Sequence, residues 1–175
     1  MTFDEFRQLR VYARYDGIYL SVIWIASFAS IICSPSLPPL RMVCLLLILS
    51  TPFFVAYRLR LFRQEALDDQ INFGRTLLYC LRVFFNAAFL YAIAQWAYMQ
   101  FIDNGSLLTI IRALVSMKEQ QGVFRQIGME PNIILQAFEQ VTPLEFASSY
   151  LIENILLGTV MSIIIAMAMK KKHNP

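Results

Sequence analysis

The residues from Gly17 to Leu40 read GIYLSVIWIASFASIICSPSLPPL and contain no aspartate, glutamate, lysine or arginine. An α-helix rises 1.5 Å per residue, so about 20 mostly apolar residues cross the roughly 30 Å of hydrocarbon in a bilayer. The apolar part of this stretch has that length and ends where prolines begin. It therefore predicts a membrane-spanning helix over about residues 15–33.

Three more apolar stretches of similar length follow along the chain, at about residues 40–58, 76–102 and 146–169. The 175 residues are 58% hydrophobic and only 15% charged, which lies outside the range of soluble domains. We expect one all-α domain over residues 1–175, an integral membrane four-helix bundle. We expect the first span to be retained, because acidic residues precede it and no signal-peptide cleavage pattern follows it.

The basic residues predict the orientation of these spans. Four of them lie on one side of the predicted membrane and ten on the other, close to the ends of the spans. Under the positive-inside rule the richer side is the cytoplasm, so both termini are expected there. The ten are Arg7, Arg10, Arg14, Arg58, Arg60, Arg63, Arg75, Lys170, Lys171 and Lys172.

The connection over about residues 103–142 is long and has a helical pattern of its own. Apolar residues recur there at helical spacing, a second short helix can begin at Pro131, and Thr142 with Glu145 forms a capping box before the last span. This outer helical loop packs on the bundle, covers a ligand site or docks a partner, and the sequence does not separate these roles. The recurring residues are Leu107, Ile110, Ile111, Leu114 and Met117.

Two charged residues fall near the cytoplasmic ends of the first and third spans. Arg82 lies about six residues into the third span, and Asp16 enters the first span from the same side. Charges within a bilayer are costly and are usually paired or reach the interface. We expect either an Asp16–Arg82 ion pair or an Arg82 side chain that extends to lipid phosphate.

Glu153 lies deeper, in the outer half of the fourth span, about 15 Å along the normal from Arg82. The residues expected at a similar level are Tyr91 and Gln95, and Asn154 is adjacent in sequence. The sequence therefore predicts an intramembrane polar site of Glu153, Asn154, Gln95 and Tyr91. Packing by hydrogen bonds, a proton or cation site, and contact with lipid or a partner remain alternatives.

Small residues recur every four positions along the same span, at Gly158, Ser162 and Ala166. Small side chains let two helix backbones approach closely in lipid. This stripe predicts a helix-packing seam.

No pattern for chemistry stands out in the chain. Cys33, Cys44 and Cys80 form neither a metal motif nor an even disulfide set, and the one histidine is His173. The basic residues do not form a face suited to nucleic acid. We expect no catalytic residue, no cofactor, no metal and no nucleic-acid partner. The expected partners are the lipid bilayer and, as a possibility, further copies of the chain or another membrane protein.

Three segments carry a resemblance to a known family: INFGR at residues 71–75, WAYMQFID at residues 96–103, and the finish from Gly158 to Lys172. Here the chain resembles the small four-span proteins, widespread in Bacteroidota, that form domain-of-unknown-function family 4199. The similarity covers most of the chain, although its motifs are short. It implies a bacterial inner membrane, four helices and a longer third connection, and it assigns no functional residues.

These observations favour a non-catalytic membrane component with a structural, partner-binding or lipid-binding role. The first alternative is a small oligomeric transporter or channel built around Glu153, with Gln95 and Asn86 nearby. The second is a membrane enzyme, for which the sequence offers no nucleophile and base set.

Overall fold

In a computed structural model the chain is all-α, as the sequence predicts. The structure describes residues 3–67, 71–116 and 131–169. The helices of these residues are α1 Phe3–Cys33, α2 Leu40–Ala66, α3 Phe73–Phe101, α4 Ser106–Ser116, α5 Pro131–Gln140 and α6 Pro143–Met169.

Four of these helices, α1, α2, α3 and α6, are long and apolar enough to cross a bilayer. Large apolar side chains along them are exposed, including Leu46, Phe53 and Leu156, as expected where a helix faces lipid instead of water. The protein is thus a multi-pass membrane protein. Each long helix extends beyond the apolar stretch that identifies it, and α1 continues without a break from its charged first turn.

The four long helices do not pack as a closed ring in chain order. Helices α1 and α3 form the centre and pack along each other. Helix α2 packs mainly on α1, and α6 packs mainly on α3, whereas α2 and α6 meet over only a short length. The side of the bundle between α2 and α6 is therefore its least closely packed side.

Two glycines allow the close approaches at the centre. A Cβ atom at Gly17 would lie 2.6 Å from the Cβ of Asn86 on α3, and one at Gly158 would lie 2.7 Å from the Cβ of Phe84. Gly158, Ser162 and Ala166, the small residues of the predicted seam, are all buried. The structure thus places this stripe inside the bundle, and at Gly158 it lies against α3.

The described residues between α3 and α6 form the two short helices α4 and α5. Leu107 and Ile110 of α4 are buried, and the Nη2 of Arg112 lies 2.6 Å from Glu139 Oε1 on α5. The capping box is confirmed, because Glu145 Oε2 accepts from the backbone amide of Thr142 at 2.9 Å and the Glu145 amide donates to Thr142 Oγ1 at 3.3 Å. Met117 lies outside the described residues.

We expect Gly17→Ala to destabilise the bundle, because the new methyl group would force α1 away from α3. Overpacking of this kind costs about 1–3 kcal/mol. The matched control is Gly74→Ala, where the nearest atom to the added Cβ is Asn72 Oδ1 at 3.9 Å. Thermal unfolding in mild detergent checks the pair, and equal melting temperatures for the two variants would contradict the tight contact.

Candidate functional site

The four long helices line a cavity of about 340 Å³. Its walls come from all four, and most of its lining is aliphatic or aromatic. Ligand pockets in proteins start at about 300 Å³, so this volume suits a small ligand or one acyl chain. The residues around it include Trp24, Ser27, Ile48, Thr51, Tyr91 and Glu153.

The polar residues of the cavity lie at one level of the bundle. Glu153 is about 15 Å along α6 from Pro143, and Tyr91 is about 15 Å along α3 from Phe101. Trp24 and Thr51 lie at similar distances from the corresponding ends of α1 and α2. The cavity is therefore well inside the apolar part of the protein.

Two polar contacts join α1 to α2 on the side of the cavity that faces the bundle interior. The indole Nε1 of Trp24 donates to Thr51 Oγ1 at 3.0 Å, and both residues are buried. One turn away, Ser27 Oγ lies 3.3 Å from the Cys44 carbonyl oxygen and 3.2 Å from its Sγ. These contacts hold the Trp24 ring in a fixed orientation beside the cavity.

The opposite, lipid-facing side of the cavity lies between α2 and α6. Ile48 on α2 and Leu157 on α6 line the cavity and are 52% and 55% exposed, in the middle of apolar helices. Met161 also lines it and is exposed. Because buried residues form one wall and exposed apolar residues the other, the cavity opens sideways, toward lipid.

The structure brings together three of the four residues of the predicted polar site. Glu153, Asn154 and Tyr91 line the cavity, together with Tyr150. The amide of Asn154 donates to the carbonyl oxygen of Tyr150 in its own helix at 2.7 Å.

Gln95 is not part of this group. It is fully buried, and neither its Oε1 nor its Nε2 has a hydrogen-bond partner among the described residues. Gln95 therefore forms no hydrogen bond with Glu153. Gln95 lies one turn nearer the end of α3 than Tyr91, at a level about 6 Å from that of Glu153, and its side chain faces the interior of the bundle.

A second polar cluster lies in the other half of the bundle, around Asp16. This carboxylate is fully buried, and its Oδ1 lies 2.5 Å from the Nε of Arg58 on α2. Its Oδ2 accepts a hydrogen bond from the hydroxyl of Tyr79 on α3. The Tyr79 ring stacks on Phe62 with centroids 4.9 Å apart, and the Arg58 guanidinium lies over the Tyr19 ring at 5.3 Å.

The predicted Asp16–Arg82 ion pair is wrong, because Asp16 pairs with Arg58. The guanidinium of Arg82 instead lies 4.8 Å from the ring centroid of Phe6 on α1. Phe6 is about 15 Å along α1 from Asp16, toward the start of the helix. The long Arg82 side chain thus extends toward the end of the bundle where α1 and α3 begin. Side chains of an α-helix tilt toward the N-terminus of their helix, which is the same direction.

Sequence reasoning missed Arg58 because it placed this residue at the end of the second span, as part of a basic connection. Helix α2 continues to Ala66, so Arg58 lies inside it. One signal was available in the sequence. Val55, Leu59 and Phe62 recur at helical spacing around Arg58, and all three are buried.

The family model described as "Protein of unknown function (DUF4199)" matches residues 15–171. No curated protein and no solved structure matches the chain.

We expect Asp16→Asn to lower the free energy of unfolding by about 3 kcal/mol, because it leaves the Arg58 charge without its buried partner. The control is Glu139→Gln in the exposed pair with Arg112, where a change within about 0.5 kcal/mol is expected. Unfolding of both variants in mild detergent, followed by circular dichroism, tests this contrast. A similar loss in the two variants would contradict a structural role for the buried pair.

Proposed function

We propose a function for this chain, which belongs to the DUF4199 family of unknown function. It is a non-catalytic membrane component, and it binds an apolar or amphiphilic molecule that enters from the bilayer. The observation that carries this proposal is the sideways-opening cavity between α2 and α6. A ligand reaches such a cavity through lipid without crossing the polar ends of the helices.

The lining supports binding over catalysis. Nucleophilic and acid–base catalysis use sets of groups held within hydrogen-bond distance of one another. Among the described residues that line this cavity, Glu153 is the one carboxylate, and no histidine, lysine or cysteine is present. Aliphatic and aromatic side chains with a few polar groups are typical of sites that hold a ligand.

The lining also favours binding over conduction. A transporter or channel needs a polar path from its site to each side of the membrane. Of the exposed residues that line this cavity, Ile48, Leu157 and Met161 offer apolar contact to a ligand and no hydration to an ion, while Glu153 and Tyr150 supply its polar part.

The proposal includes a location, the bacterial inner membrane, with both termini in the cytoplasm. The orientation rests on the arginines and lysines near the ends of the spans, which are expected to stay on the cytoplasmic side. In this orientation the cavity lies in the outer half of the bundle, and the Asp16 cluster lies in the cytoplasmic half. Association with further copies or with another membrane protein stays a prediction.

Cys33 provides a test of the orientation, because it is exposed at the outer end of α1 while Cys44 and Cys80 are buried. We expect a membrane-impermeant maleimide to label the protein in spheroplasts. Cys33→Ser should abolish this labelling. Labelling of Cys33 only in inside-out vesicles would contradict the proposed orientation and indicate the opposite one.

A cavity-filling variant tests the ligand. We expect Ile48→Trp to reduce severalfold the lipid or amphiphile that copurifies with the protein in mild detergent, because the indole would occupy the cavity mouth. The control is Leu46→Trp, on the same helix and 65% exposed but away from the cavity. Native mass spectrometry measures the bound molecules, and equal retention by both variants would contradict the proposal.

A further inference from the structure

Among the described residues that line the cavity, Glu153 is the one charged side chain. It lies in the apolar part of α6, is exposed, and borders the cavity. Within residues 3–67, 71–116 and 131–169 it forms no ion pair and no hydrogen bond, in contrast to Asp16 with its two partners. Charged groups inside a membrane need a partner or water. A cationic ligand in the cavity would supply the missing countercharge.

The aromatic residues of the cavity add a second feature that attracts cations. Trp24 and Tyr91 line it with ring centroids 5.7 Å apart, and Phe84 lies 6.3 Å from Trp24. The faces of tryptophan and tyrosine rings attract organic cations, and several rings together recognise quaternary ammonium groups. The bond from Trp24 to Thr51 holds the indole in place, so the site is formed before a ligand arrives.

The available oxygen atoms argue against calcium and magnesium. Calcium and magnesium take six or more oxygen ligands. In this cavity Thr51 Oγ1 already accepts from Trp24, and Ser27 Oγ is engaged with Cys44. One carboxylate beside rings and aliphatic chains suits a cation whose charge is spread over an apolar body.

We propose that the cavity binds a membrane-soluble organic cation, with Glu153 as its counterion and Trp24 and Tyr91 as its aromatic walls. The proposal rests on the proposed function and names its ligand class, a lipophilic amine or a quaternary ammonium or phosphonium ion. The ligand enters from lipid between α2 and α6. The volume of about 340 Å³ holds a compact cation or the head and first methylenes of a longer one.

The test uses two ions of the same shape and opposite charge, tetraphenylphosphonium and tetraphenylborate, added to the full chain in lipid nanodiscs. The chain has two tryptophans, so a Trp96→Phe background leaves Trp24 as the single reporter inside the site. We expect tetraphenylphosphonium to change the Trp24 fluorescence saturably. Glu153→Gln should weaken this binding at least about tenfold, the effect of losing one charge-assisted contact in an apolar site.

Further controls make the result decisive. Glu153→Asp should retain most of the binding. Leu46→Trp and Ile48→Trp each add a tryptophan, so equilibrium dialysis of tetraphenylphosphonium replaces fluorescence for these two variants: Leu46→Trp should leave the binding unchanged, and Ile48→Trp should abolish it. Glu153→Gln should not weaken the binding of tetraphenylborate. If Glu153→Gln does not fold, the unsubstituted chain decides, because tetraphenylborate added by itself should not change the Trp24 fluorescence saturably.

The outcomes separate this inference from the proposed function. One outcome is that tetraphenylphosphonium binds equally to the unsubstituted chain and to Glu153→Gln but not to Ile48→Trp. This outcome would overturn the inference that the ligand is a cation, and the cavity would remain a site for an apolar ligand. No saturable binding of tetraphenylphosphonium would also overturn the inference. If Ile48→Trp then retained its copurifying lipid as well, the proposed function would fall with it.

Discussion

The buried carboxylate of Asp16 is the constraint on which the arrangement of the helices depends. It belongs to α1, and its two oxygen atoms contact Arg58 of α2 and Tyr79 of α3. Leaving such a charge unpaired in an apolar interior is far more costly than any single packing contact. The three helices must therefore meet at this level, and aromatic stacking of Phe62 on Tyr79 closes the cluster from the side.

This arrangement explains why the bundle is open on one side. Helix α2 is tied to α1 and α3 by the Asp16 cluster and by the bond from Trp24 to Thr51, whereas α6 joins the bundle through its close contact with α3 at Gly158. Few contacts link α2 directly to α6. A gap remains between these two helices, and the cavity lies behind it. Helices α4 and α5 are connected to each other by the Arg112–Glu139 pair and reach α6 through Phe138 and Phe146.

The two acidic residues inside the bundle thus have different environments. Asp16 is surrounded by a cation, a hydroxyl and stacked rings, which together account for its presence. Glu153 borders a cavity and has no ion-pair partner in the described part of the chain. A charge that is fully paired stabilises a fold, while one that faces a cavity is available to a ligand. This difference, and not the mere presence of a charge, distinguishes the half of the bundle that contains the cavity from the half that contains Asp16.

The sequence by itself determined the class of the protein, its four long helices, the start of α6 and the stripe of small residues. Each of these depends on residues close together in the chain, through apolar length, capping and helical spacing. Only the tertiary structure decided which helices are neighbours. In space the helices follow the order α2, α1, α3, α6, which brings Arg58 of α2 against Asp16 of α1. Arg82 does not meet Asp16, because its side chain extends to Phe6. Depth along the membrane normal follows from residue counts, but the direction in which each side chain faces depends on helix rotation and packing. For that reason the level of Glu153 was predictable, whereas its separation from Gln95 and the cavity beside it were not.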